Sequence, residues 1–115
     1  MSEDCLFCKI ISGELPSNKV YSDDEVYAFE DIQPQAPVHV LVVPTKHISD
    51  MLAASDEDTE LLGKLLLKAN EIARQLGIAE SGMRYTLNTG PHSCRTIFHI
   101  HLHILGGRQL EPVMG

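Results

Sequence analysis

The chain has 115 residues, 43% of them hydrophobic and 22% charged, which suits one self-sufficient globular domain spanning residues 1–115. Its formal charge of −7 repels phosphate polymers, which argues against a nucleic-acid partner yet permits one small nucleotide in a local pocket. No apolar run reaches membrane-spanning length, "MSEDCLFCKI" has no basic stretch leading into an apolar one, and the cysteines number three; the expectation is a cytoplasmic protein with no membrane partner and no disulfide framework.

From about Cys5 to Ile11 the chain reads as a short helix closed by Gly13, with Pro16 at its exit. "KVYS" and "EVYAFED" are β-prone runs separated by Asp23-Asp24, the pattern of a hairpin. "QPQAP" is a turn, and "VHVLVVP", Val38 to Pro44, is a buried strand. Ser55-Asp-Glu-Asp58 offers an N-cap and an acidic first turn. Behind it Leu61, Leu62, Leu65, Leu66, Ala69, Ile72, Ala73 and Leu76 recur at helical spacing until Gly77 stops the run. "MRYTLNT" reads as a strand, "GPHSCR" as a loop, and Thr96 to Leu105 as a last strand ended by Gly106-Gly107. Five strands on hairpin-length loops, with one long helix and one short N-terminal helix, give an α+β domain on an antiparallel sheet.

The last strand contains "FHIHLHIL", with His99, His101 and His103 at alternate positions. Alternation puts the three imidazoles on one face, about 6–7 Å apart, and Phe98, Ile100, Leu102 and Ile104 on the other, toward the long helix. A solvated strand face is filled more readily by Thr, Lys or Glu. Histidine brings a near-neutral pKa and ligand capacity, so this face reads as a site.

Cys5-Leu-Phe-Cys8 forms a C-x-x-C pair. By itself it fits a redox motif, half of a zinc site or chance. A thioredoxin-like reading wants a preceding strand that is absent, and a closed zinc site needs two further ligands. His39, His47, His92, Cys94 and the three alternating histidines are on offer. His39 opens a buried strand and reads as structural, and His92 reads as a solvated loop residue.

"H-x-H-x-H" followed by "ILGGR" resembles the histidine-triad (HIT) superfamily, and "GGR" its Hint branch of purine nucleoside phosphoramidases rather than the branch that cleaves diadenosine polyphosphates. "CLFCKIISGELPS", "VYAFEDIQPQAPVHVLVVPTKHIS" and "NTGPHSCRTIFHIHLHILGGRQL" extend the likeness over nearly the whole chain. The resemblance implies a HIT-like fold, a two-fold homodimer and a hydrolase acting on purine nucleoside monophosphate conjugates, either phosphoramidates or acyl-nucleotides. His101 would be the nucleophile that becomes nucleotidylated, His103 a phosphate contact, Asn88 a phosphate ligand, and Thr96 a hydroxyl that assists the leaving group. Leu6, Phe7, Ile10, Phe29 and Ile32 would hold the base, and Asp31 the ribose hydroxyls. Some bacterial members imply a structural zinc on Cys5, Cys8, His47 and His99, with no catalytic cofactor. The alternative there is a pair of reduced thiols beside two histidines bonded to each other.

Cys94-Arg95 departs from the Gly-Gln usual in the family; a side chain at Cys94 stands against the close backbone approach to phosphate that glycine gives, and Arg95 either meets the phosphate or an acidic leaving group in compensation or points to solvent. The short tail "EPVMG" replaces the aromatic tail of animal members. Two other functions stay open: a zinc hydrolase whose triad holds a metal-bound water, and a nucleotide-binding module with little turnover.

Overall fold

The computed structural model describes residues 5–112; the end of the "EPVMG" tail, residues 113–115, lies outside them. Helix α1 (Leu6–Ser12) is followed by β1 (Lys19–Ser22), β2 (Val26–Glu30), β3 (Val38–Pro44), helix α2 (Thr59–Gln75), β4 (Met83–Thr86) and β5 (Leu102–Gly106). The five strands form one antiparallel sheet in the order β1-β2-β3-β5-β4. No helix among the described residues is long and apolar enough to cross a membrane.

Local chemistry sets the element ends. The Asp23 carboxylate accepts from the N–H groups of Glu25 and Val26 at 2.8 and 2.9 Å, so the β1–β2 turn is closed by a side chain. Ser55 and Asp58 form a capping box, with Ser55 N–H donating to Asp58 Oδ2 at 3.0 Å. The box caps a single 3₁₀ turn, Asp56–Asp58, that leads directly into α2. At the other end Gly77 takes φ +77°. Its N–H donates to Arg74 O and the Ile78 N–H to Ala73 O, both at 3.1 Å. This paired arrangement requires a left-handed residue at Gly77.

The sheet is covered on both faces. Val26, Ala28, Val40, Val42, Leu102 and Ile104 pack with Leu65, Ala69, Ile72 and Ala73 of α2. On the opposite face Phe29, Leu41 and Val43 pack with Phe7 of α1 and with Cys5, its N-cap. Strand β3 therefore buries side chains on both sides, as its unbroken apolar run requires. Leu66 and Leu76 were expected on the buried stripe but are 45% and 39% exposed. Leu66 lies about 100° around the helix from Leu65, and Leu76 is the C-cap.

The largest departure concerns the last strand. Its ladder runs only from Leu102, not from Thr96, and β4 stops at Thr86, short of Thr89. In the β3–β5 register Leu102 faces Val42, so Ile100 would next face Pro44, which has no N–H to give. The Ile100 N–H instead donates to Ile48 O at 2.8 Å, and the chain leaves the sheet. Ile100, Leu102 and Ile104 are buried as expected, whereas Phe98, before the bend, is 58% exposed.

Candidate active site

His103 lies in β5, directly across from Leu41 of β3, which in turn faces Phe29 of β2. This row floors a cavity of about 370 Å³, a size suited to a small organic ligand. Phe7, Leu6 and Ile10 of α1 and Ile32 after β2 form its apolar side, Asp31 its acidic edge, and His101, His103 and Thr96 its polar end. Pro16, Ser17, Leu41 and Ile97 also line it; nothing in their spacing announced this, because they converge only in the folded chain. Asn88 and Arg95 are not among the lining residues. Asn88 is half-buried beyond β4, and Arg95 pairs with Asp50.

Hydrogen bonds assign the protons on the imidazoles. His101 Nδ1 stands 2.8 Å from the His99 carbonyl oxygen. A carbonyl only accepts, so Nδ1 carries the hydrogen and Nε2 keeps its lone pair. The His101 ring meets Phe7 edge to face at 5.0 Å and His103 at 5.0 Å, closer than the 6–7 Å expected of a regular strand. Burial lowers the His101 pKa, partly offset by the bond to His99 O. Burial, with repulsion from His101 and His39, brings His103 down to about 4. Both rings are neutral near pH 7.

His39, read from sequence as structural, is buried behind this end of the cavity and is not among its lining residues. Its Nδ1 accepts from Gln35 N–H at 3.0 Å, so in the neutral ring Nε2 bears the hydrogen and donates to His103 Nδ1 at 2.9 Å. His103 is thereby left with its own hydrogen on Nε2, a donor. Asp31 stands 3.4 Å from His39 Nε2 and accepts from Gln33 N–H with its other oxygen. The signal was present in the sequence as a polar residue two positions from Leu41, on the same strand face.

A second cluster lies beneath the first. Cys5, Cys8, His47 and His99 bring their ligand atoms within 4.8 Å of one another. His99 is fully buried and its Nε2–H donates to Pro44 O at 2.8 Å, which leaves Nδ1 facing Cys5 Sγ at 3.3 Å and Cys8 Sγ at 3.6 Å. His47 Nδ1 is 3.4 Å from Cys8 Sγ. The two imidazoles stand edge to face at 5.0 Å and turn toward sulfur rather than bonding each other. Burial beside Cys5 pushes the Cys8 thiol up to about 11. His92 is exposed in its loop, as expected.

An antiparallel sheet presenting neutral histidines to an apolar cavity is a frame shared with known proteins. The HIT domain family matches residues 12–110, and the chain belongs to that family. It is 46% identical to the purine nucleoside phosphoramidase of Escherichia coli K12 over 114 residues, 99% of this chain and 96% of that one. It is 45% identical to a 14 kDa zinc-binding protein of Brassica juncea, covering 94% and 96%. Among solved structures, a HIT family hydrolase from Clostridium thermocellum superimposes with a TM-score of 0.95 at 43% identity, covering 99% of both chains.

Proposed function

We propose that this HIT family hydrolase cleaves the P–N bond of purine nucleoside phosphoramidates, or the P–O bond of the corresponding acyl-nucleotides, through a nucleotidyl-His101 intermediate. One observation carries the reading: the His99 carbonyl fixes the His101 hydrogen on Nδ1, so the lone pair on Nε2 is the one available to phosphorus. Nε2 forms the new P–N bond as the amine or carboxylate departs with the old bonding pair, and the amine takes up a proton. Water then attacks phosphorus and releases the nucleoside monophosphate, returning the pair to His101. The His103 Nε2–H stabilises charge on the phosphoryl oxygens, and the Thr96 hydroxyl attends the leaving group. Leu6, Phe7, Ile10, Phe29 and Ile32 take the base and Asp31 the ribose. Asn88 and Arg95, which stand outside the cavity lining, are not assigned a direct contact in this reading.

The Cys5, Cys8, His47 and His99 group fits zinc. Zn–S near 2.3 Å and Zn–N near 2.0–2.1 Å put neighbouring S and N ligands about 3.5 Å apart around a tetrahedral ion; the S···N separations here are 3.3, 3.4 and 3.6 Å. Four protein donors close such a site, so zinc would stabilise the fold and leave phosphoryl chemistry to His101. This favours the covalent route over a metal-bound water held by the triad. A homodimer joined along the β4 edge of the sheet is part of the same proposal; Leu66 and Leu67 of α2 are exposed apolar residues outside the core.

The test is rapid-quench labelling with an adenosine 5′-phosphoramidate bearing radioactive phosphorus. Label is expected on His101 and nowhere else. Turnover without trapped label would remove the covalent mechanism, and binding without turnover would leave a nucleotide-binding module.

A further inference from the structure

The segment between β4 and β5 supplies Thr96 and Ile97 to the cavity, yet it has no ladder to hold it. Its best main-chain tie to the rest of the fold is the Ile100–Ile48 bond. Upstream, Cys94 sits at φ +65°, in the left-handed region where a side chain is strained. A loop with those properties keeps one shape only if contacts elsewhere impose it.

Arg95 provides such contacts. Its Nη1 donates to Asp50 Oδ2, and both side chains are largely withdrawn from water, at 13% and 15% exposure. Asp50 is itself fixed, because its other oxygen caps the 3₁₀ turn Met51–Ala53 by accepting from Ala53 N–H at 3.1 Å. The guanidinium Cζ lies over the Phe98 ring, 4.3 Å from its centroid, a cation–π contact that arginine makes more often than lysine. Arg95 Nε is buried and finds no acceptor, a cost tolerated where the rest of the group is pinned. The contacts bracket Thr96 and Ile97, with Arg95 before them and Phe98 after.

We infer that Arg95 is a positioning residue: clamped between Asp50 and Phe98, it sets where Thr96 and Ile97 stand at the polar end of the cavity. The inference rests on the phosphoramidase reading for its catalytic consequence, though not for its structural one. Asp50→Asn is the sharpest variant, since asparagine caps as well as aspartate and only the charge toward Arg95 is lost. Arg95→Ala removes both clamp contacts, and Arg95→Lys keeps the charge without the flat face.

Zinc-loaded protein would be assayed for hydrolysis of an adenosine 5′-phosphoramidate, for AMP affinity, and for backbone NMR order parameters at residues 95–98 with AMP bound. Expected for Asp50→Asn and Arg95→Ala are a kcat reduced about tenfold, AMP affinity within about twofold of wild type, and order parameters at Thr96 and Ile97 falling from about 0.85 to below about 0.6. Arg95→Lys should recover part of both losses. Unchanged order parameters at Thr96 and Ile97 in Asp50→Asn would overturn the clamp, as would a kcat equal to wild type. If the wild-type protein hydrolyses no phosphoramidate, the functional reading falls and the order parameters alone decide the clamp.

Discussion

The two faces of the central strands divide the work of the molecule. Toward α2, Val40, Val42, Leu102 and Ile104 present hydrocarbon that is closed to solvent. Toward α1, the same strands present Leu41 and His103, which line a cavity, and the buried His39, whose bond to His103 assigns the hydrogens on both rings. A one-residue step along β5 moves from the core to the chemistry. Because strand side chains alternate strictly, changes confined to one face should read out as stability and changes confined to the other as activity.

The largest expected effect is on the open face. His101→Asn should lower kcat more than about a thousandfold, since it removes the attacking atom. AMP affinity and the thermal midpoint should stay close to wild type. A loss of less than tenfold would mean that the nucleophile is elsewhere.

Next in size is removal of zinc, which tests whether the cluster under His101 serves the fold. Elemental analysis should find about one zinc per chain. A chelator, or Cys8→Ser, should lower the unfolding free energy by several kcal/mol and reduce kcat by a much smaller factor than His101→Asn. Loss of activity at once with unchanged stability would point to a catalytic metal instead.

On the closed face, Leu65→Ala deletes a side chain that is 1% exposed and should cost about 2–5 kcal/mol in denaturant unfolding. Activity per folded molecule at low temperature should hardly change. If kcat falls in step with stability, the two faces are not independent.

The smallest effect is a pH dependence. His103, facing His101, His39 and Asp31, is depressed to about 4 in the folded chain, against about 6.5 when unfolded. Above about 6.5 both states are neutral there and its contribution to stability is complete. As pH falls from there toward 4 the unfolded chain binds a proton that the folded chain refuses, so stability is lost; below about 4 the loss levels off. The urea midpoint of wild type should therefore fall more steeply from pH 7 to pH 5 than that of His103→Gln. Parallel slopes would contradict the depressed value.

Much of this division is legible in the sequence because it follows from local rules. The β3 run, the Ser55–Asp58 cap, the Gly77 stop and the alternation of Ile100, Leu102 and Ile104 with histidine each depend on neighbours within a few positions. What escaped depends on partners far along the chain. The end of the histidine strand is set by Pro44, more than fifty positions upstream of His99 and across the sheet. The outward turn of Phe98 is matched by Arg95, whose place depends on Asp50. His39 looks like an isolated polar residue until β5 lies beside β3 and brings His103 to its Nε2. The four residues around sulfur were named from family likeness, and their convergence needed α1 folded against the sheet.

Pro44 has a consequence of its own. By withholding a donor it ends regular pairing inside the triad, between His101 and Leu102, and its carbonyl is the one that orients His99. His101, just outside the ladder, and His103, inside it, stand with their ring centroids 5.0 Å apart. Two imidazoles at the polar end of the cavity thus stand on either side of a break set by an imino acid that lines no part of it.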